Sequence, residues 1–116
     1  MSLEATWKAF DLAKVVATAE SQETPYLEFL RVPTLSAGIY TLAAGATDTQ
    51  TTHDEDEVYF VLKGRARITL GGQPQEVGQG SILYVPADTE HEFNEITEDL
   101  SLLVFFGTGG PSGAEV

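Results

Sequence analysis

The sequence predicts an all-β, antiparallel fold, a sandwich or a barrel, with at most a short N-terminal helix. Two observations favour this class. From Tyr26 onward the apolar stretches are as short as strands, and glycine, proline or acidic residues separate them. The chain also has 116 residues, which is enough for one domain with a buried core but too few for two.

A short helix is predicted between Trp7 and Ala19. Asp11 is a suitable N-cap, and apolar residues recur after it near helical spacing. These residues are Leu12, Val15, Val16 and Ala19. Because two of them are β-branched, a loop over the letters ATAES remains the alternative.

Seven strands are predicted after this segment. They are YLEFLRV, GIYTLAAG, EVYFVLKG, RARITLGG, SILYVP, HEFNEI and LSLLVFFG. Gly71 and Gly72 favour a tight hairpin turn, because glycine accepts the positive φ that such turns need. We therefore divide the chain into an N-terminal extension (1–24), a barrel domain (25–107) and a flexible C-terminal tail (108–116), whose composition lacks apolar periodicity.

Two of the predicted strands are apolar on both faces. In EVYFVLKG, Tyr59 and Val61 alternate with Val58 and Phe60, and LSLLVFFG has the same character. A barrel interior buries only one face, so the other face needs cover. The N-terminal segment with Trp7, a second sheet or another subunit could provide it, and a homodimer is one expectation.

The charge balance excludes several classes of partner. Eighteen acidic residues against six basic ones give a formal charge of −12, which disfavours nucleic acid and anionic membranes. The chain has no cysteine, which rules out disulfides and thiolate zinc sites. No stretch resembles a signal peptide or a spanning helix, so we expect a soluble, cytoplasmic protein without a membrane partner.

The candidate chemistry centres on the two histidines, His53 and His91. His53 precedes a run of carboxylates, and four positions separate it from Glu57. On a straight strand these two side chains share a face but lie about 13 Å apart, too far for one metal ion without a bend. Taken alone, His53 fits a solvated acidic turn better than a metal ligand.

The spacing of glycine, histidine and glutamate resembles two motifs of the cupin superfamily. Residues 45–64 read G-x7-H-x3-E-x6-G, where that family has G-x5-H-x-H-x3-4-E-x6-G. Residues 80–91 read G-x5-P-x4-H, where the family has G-x5-P-x-G-x2-H-x3-N. The resemblance implies a jelly-roll β-barrel. The matching residues are Gly45, His53, Glu57, Gly64, Gly80, Pro86 and His91.

The resemblance also implies a divalent metal ion, either Fe, Zn, Mn or Ni, bound by His53, Glu57 and His91. Thr51 stands where the first motif histidine is expected, so one of the usual four ligands is missing. Water or the amide oxygen of Gln50 could fill that position. Two imidazoles and a carboxylate with open positions form a recognised metal-binding set.

The remaining candidates are pocket residues and charges. A phenol near a metal can orient a substrate or donate a proton, although a tyrosine in such a position is more often an ordinary core aromatic. The candidate substrate-pocket residues are Gln50, Thr51, Tyr40, Tyr59, Tyr84 and Phe93. Asp54, Glu55 and Asp56 are expected to be solvated charges whose field favours cations. At Asp88 and Glu95 the chain departs from the glycine and asparagine of the second motif.

Two functions remain open. The first is a metal-dependent enzyme, of the oxygenase or isomerase type, acting on a small organic molecule in the barrel. The second is a non-catalytic cupin that binds or senses a small molecule through a degenerate metal site. Retention of three motif ligands favours the enzyme, and Thr51 in place of the first motif histidine favours the non-catalytic protein. Both are kept because a fold alone does not decide activity.

Overall fold

The computed structural model describes residues 6–48 and 54–108. Within these residues one helix precedes six strands: α1 (Leu12–Ser21), β1 (Tyr26–Val32), β2 (Leu35–Leu42), β3 (Glu55–Leu70), β4 (Gln73–Gly78), β5 (Ile82–Val85) and β6 (His91–Thr108). All strand pairs are antiparallel, in the order β1-β2-β6-β3-β4, and β5 pairs with β3. The all-β prediction with one short helix is confirmed.

The helix α1 begins where the sequence predicts. The Asp11 side chain accepts a hydrogen bond from the Ala13 backbone N–H at 3.0 Å and satisfies one of the free donors of the first turn. The helix packs on β1 and β2. Its Ala19 is buried, as are Ala37 and Ile39 on the face of β2 opposite to the core. The N-terminal segment therefore covers part of the outer face of the sheet.

Two pairs of predicted strands are in fact single long strands. EVYFVLKG and RARITLGG join in β3, while HEFNEI and LSLLVFFG join in β6. The register between β3 and β6 shifts three times between Val61 and Arg67, so the ribbon bends there without breaking. Gly64, with φ of 100°, lies at this bend. Gly64, which the sequence predicted as the end of a strand, is instead a bulge residue within β3.

The strand β4 was not predicted, because Gln73–Gly78 contains a proline and no apolar alternation. It forms because the predicted Gly71-Gly72 turn is present: both glycines have positive φ, and the turn pairs Leu70 with Gln73. Pro74 is tolerated since β4 ends the strand order.

The core lies on one face of this bent sheet. On β3 the core positions are Tyr59 and Val61 before the bend and Ala66 and Ile68 after it, because the register shifts between them change which positions face inward. The fully buried core members include Tyr59, Val61, Ile68, Phe93, Leu100 and Leu102. In the described ranges, no helix combines the length and the apolar character needed to span a membrane. Residues 109–116, most of the predicted tail, lie outside the described part.

Candidate metal centre

Glu57 is buried in the barrel interior. On β3 its side chain points to the same inner face of the sheet as those of Tyr59 and Val61, and the residue is 1 % exposed. Its neighbours across the sheet are Val85 of β5 and Phe106 of β6. A carboxylate among such apolar neighbours is costly unless a proton, a cation or a donor compensates it.

His91, the first residue of β6, supplies the group that faces this carboxylate. Its Nδ1 lies 2.8 Å from the carbonyl oxygen of Thr89. A carbonyl only accepts, so Nδ1 carries the hydrogen and donates, and this contact fixes the orientation of the ring. Nε2 then lies 3.2 Å from Oε1 of Glu57, and the side chains of both residues are at most 1 % exposed.

The turn between β5 and β6 brings these two residues together. Val85 pairs with Glu57, and the chain reverses over residues 86–90 to start β6 at His91. The backbone N–H of Ala87 donates to the Asp56 carboxylate at 2.9 Å, which holds the turn against β3. Asp56 thus has a structural role beyond the solvated charge that we expected.

Backbone conformation explains two motif positions. Asp88 and Glu95 stand where the family motif has glycine and asparagine, and their φ values are 63° and 51°. Glycine and asparagine are the residues that adopt this left-handed region most readily. The family pattern at these positions therefore corresponds to a backbone requirement, which aspartate meets better than glutamate.

The contact with Glu57 favours the protonated form of His91. The hydrogen bond to Glu57 raises the pKa of His91, burial opposes this rise, and the Thr89 carbonyl adds to it. Oxygen and nitrogen ligands lie about 2.0–2.2 Å from ions such as zinc, which places neighbouring ligand atoms roughly 3 Å apart. The separation of 3.2 Å between Oε1 and Nε2 suits either a shared proton or a divalent metal.

The third predicted ligand is not among the residues that the structure describes. His53, with the neighbouring Gln50 and Thr51, lies outside the described residues. Within 6–48 and 54–108, no three histidine, aspartate or glutamate side chains are grouped so as to hold a metal ion. The structure therefore brings together two of the three predicted ligands.

Three of the predicted pocket aromatics line the interior and one does not. Tyr40, Tyr59 and Phe93 are buried, and the ring of Tyr59 lies edge-on to Phe93, with centroids 5.0 Å apart, and to His91, at 6.1 Å. The prediction for Tyr84 needs correction. Its side chain is 60 % exposed, since it has the opposite parity to Val85 and points away from the interior.

Sequence reasoning missed a buried aspartate near this centre. Asp48 is 4 % exposed. Its Oδ1 accepts from the hydroxyl of Tyr40 and its Oδ2 from the backbone N–H of Phe93, both at 2.8 Å. In the letters GATDTQ nothing distinguishes this aspartate from a turn residue.

Sequence reasoning also missed Tyr26. Its ring lies near those of Tyr40 and Phe106, at centroid distances of 6.3 and 6.4 Å. Gly38 makes room for it, because a Cβ there would collide with the Tyr26 ring and hydroxyl. Burial, aided by nearby carboxylates including Glu57, raises the pKa of Tyr26 to about 12, so the phenol stays protonated at neutral pH.

The chain belongs to the cupin family: residues 38–106 match the model of the cupin domain. An uncharacterised protein of Streptomyces coelicolor is 48 % identical over 99 residues, which are 85 % of this chain and 94 % of that protein. The predicted family is thereby confirmed.

Solved structures share the same fold. The cupin domain of Cnp3 from Schizosaccharomyces pombe has a TM-score of 0.67 at 17 % identity, over 72 % of this chain and 64 % of that one. A salicylate 1,2-dioxygenase from Pseudaminobacter salicylatoxidans also has a TM-score of 0.67, at 16 % identity, over 83 % of this chain but 31 % of that one. The present chain spans less than two thirds of either protein, and these similarities concern the fold alone.

Proposed function

We propose that the protein is a metal-binding cupin that holds one divalent ion through His53, Glu57 and His91. The observation that carries this proposal is the buried contact between Glu57 and His91, in which the Thr89 carbonyl directs Nε2 toward the carboxylate. A carboxylate and a neutral imidazole are ligands that Fe, Zn, Mn and Ni all accept. The position of His53 in the family motif supplies the third ligand.

In the first candidate function, the protein is a metal-dependent enzyme of the oxygenase or isomerase type that acts on a small organic molecule. A bound divalent ion supplies Lewis-acid or oxygen-activating chemistry. The chain's own residues provide an apolar interior around the ligands, where Tyr59 and Phe93 exclude water from one side. The protonated phenol of Tyr26 is a donor that can orient an oxygen atom of such a molecule.

A non-catalytic binding or sensing function is the second candidate, and Thr51 favours it. With a hydroxyl in place of the first motif histidine, the ligand set is smaller than that of the family pattern. A smaller set binds its ion more weakly but leaves the barrel available for a small molecule. Turnover of a bound molecule by the metal-loaded protein distinguishes the enzyme from this alternative.

Metal analysis of protein purified without added metal tests the shared part of both candidates. We expect close to one divalent ion per chain, and we expect His91→Ala to lower the affinity for added Zn(II) by at least about tenfold, or 1.4 kcal/mol. Glu92→Ala is the matched control, because Glu92 is adjacent but exposed. A wild-type protein that binds none of Fe(II), Zn(II), Mn(II) and Ni(II) would refute the proposal.

We also propose that the protein forms a homodimer through the outer face of β6, β3 and β5. Two cross-strand rows lie there: Leu103, Phe60 and Ile82 in one, and Phe105, Val58 and Tyr84 in the other. Ile82 is 70 % and Tyr84 60 % exposed, although these rows contain no charge. An apolar patch of this kind commonly marks an interface.

Sedimentation at micromolar concentration tests the dimer. We expect the wild type to sediment as a dimer and Ile82→Arg as a monomer, because a charge placed in an apolar interface is costly to desolvate. Leu35→Arg is the control, since Leu35 is exposed on β2 outside these rows. A wild-type protein that sediments as a monomer would refute the proposed dimer.

A further inference from the structure

An apolar groove lies on the outer face of the sheet, beside the N-terminal arm (residues 6–10) that precedes α1. Its volume is about 400 Å³. Phe10 holds the arm in place, because its ring packs edge-on against Phe29 of β1 with the centroids 5.0 Å apart. Both rings line the groove, as do Leu103 and Phe105 of β6. The groove therefore has aromatic and aliphatic walls that come from the arm and from two strands.

Trp7 belongs to this arm but points away from the groove. Thr6, Lys8 and Phe10 of the arm line the groove, whereas Trp7 does not. Alternate residues of the arm thus face the sheet, as in an extended chain. Trp7 is left 83 % exposed, the highest value among the large apolar residues in the described part of the chain. Because its neighbours on both sides face inward, Trp7 cannot fill the groove of its own chain unless the arm turns over.

The chemistry of the groove suits an aromatic occupant. Among the lining residues Lys8 is the only charged one, and the others are apolar except for Thr6. An ammonium group is attracted to the face of an aromatic ring, and indole is the side-chain ring that binds it best. Pockets that hold small molecules have volumes of roughly 300–1,000 Å³. A groove of about 400 Å³ is therefore large enough for one indole side chain.

A tryptophan and a groove that suits it, side by side on one surface, make that surface self-complementary. In a dimer with two-fold symmetry, the contact that one copy makes with the other is repeated in the opposite direction, so each Trp7 can enter the opposite groove. The groove also continues into the proposed dimer face, because Leu103 and Phe105 belong to the two apolar rows there. A second copy on those rows lies next to the groove.

We propose that Trp7 anchors the homodimer by inserting into the groove that the second copy has between its N-terminal arm and β6. The inference rests on the proposed homodimer and names the side chain that holds it together. A tryptophan enclosed by apolar residues commonly contributes a large share of the binding energy of an interface. Insertion also removes from water the most exposed large apolar side chain of the described residues.

Fluorescence of the wild type tests the burial of Trp7 directly, because the chain has one tryptophan. We expect the indole emission to move to shorter wavelength, and its quenching by acrylamide to fall, as the protein concentration rises through the dissociation constant that sedimentation gives. In the dilute monomer the emission should be that of an exposed indole. A monomer that already emits at the shorter wavelength would have Trp7 packed on its own chain, and this would overturn the inference.

Two variants test the two sides of the contact. Trp7→Ala removes the anchor, whereas Lys8→Trp places an indole in the groove of its own chain and so blocks the second copy. Both positions are exposed, so both variants should fold as the wild type does. We expect each to raise the dissociation constant of the dimer at least about tenfold. Leu35→Ala is the control, because Leu35 is exposed but does not line the groove, and its dissociation constant should stay within about threefold of the wild type.

The outcomes separate this inference from the proposed dimer. A wild type that sediments as a monomer throughout the micromolar range overturns both. A dimer in which the emission of Trp7 does not change, or which Trp7→Ala forms equally well, overturns the inference alone and leaves the groove to another occupant. A dimer that is weakened by Trp7→Ala but not by Lys8→Trp would mean that the indole binds elsewhere on the second copy, which overturns the assignment of the groove.

Discussion

Gly64→Ala is expected to destabilise the protein by roughly 3–5 kcal/mol, a large part of the about 5–15 kcal/mol that holds a typical domain folded. The φ of 100° at Gly64 is unfavourable for any residue with a Cβ. A Cβ would also collide with the carbonyl oxygen of Asp99 and approach the Cα of Leu100 to 2.7 Å. Both obstacles are backbone atoms, which cannot yield by changing a rotamer.

Gly80→Ala separates the cost of the positive φ from the cost of the steric collision. Gly80 has a φ of 91°, but a Cβ there meets nothing within 4 Å, so only the conformational cost of about 1–2 kcal/mol applies. Urea unfolding of the wild type and both variants measures the difference. Equal destabilisation would show that the close approach to Asp99 is unimportant.

Zn(II) is expected to stabilise the protein, and pH should act on the metal-free and metal-bound forms in opposite directions. At 100 times its dissociation constant, a ligand that binds only the folded state adds about 2.7 kcal/mol to the free energy of unfolding. Protons compete with the metal for His91, so this gain should be small near pH 5.5 and large near pH 8.

The metal-free protein should behave differently because Glu57 raises the pKa of His91 in the folded state. A raised pKa means that the protonated histidine stabilises the fold below the ordinary pKa of histidine, and that this contribution is lost as pH rises through the folded-state value. Unfolding curves from pH 5.5 to 8, with a chelator or with Zn(II), measure both trends. The pH trend of the metal-free form should be weaker in His91→Ala, and an unchanged trend would exclude His91 as its source.

Much of the fold follows from local patterns in the sequence. Turn glycines, short apolar stretches and the Asp11 cap predict the β class, the Gly71-Gly72 hairpin and the helix correctly. The number of strands was wrong because β3 and β6 each join two predicted strands and because β4 was not predicted. In β3 the cause is Gly64, since a glycine looks the same in a sequence whether it ends a strand or bends one. At Gly64 the outcome depends on the close approach of the backbone of Asp99 and Leu100, far along the chain.

The candidate site was predictable only where a family motif marks its residues. Glu57 and His91 came from the family spacing, and the structure places them in contact. Asp48 and Tyr26 were missed because their importance arises from burial that tertiary packing imposes, not from their neighbours in sequence. Tyr84 was misplaced because parity on a four-residue strand is hard to assign without its partner β3.

The position of His91 on the last strand has a consequence for biosynthesis. Glu57 lies on β3, but His91 belongs to β6, which pairs with both β2 and β3. Such non-local pairings form slowly, since a long loop of chain must close before they are made. A chain still on the ribosome, with β6 not yet released, would expose Glu57 without its imidazole partner. If the protein binds metal as proposed, capture of the ion should therefore follow completion of the barrel, unlike in a zinc finger, where the metal itself drives a short segment to fold.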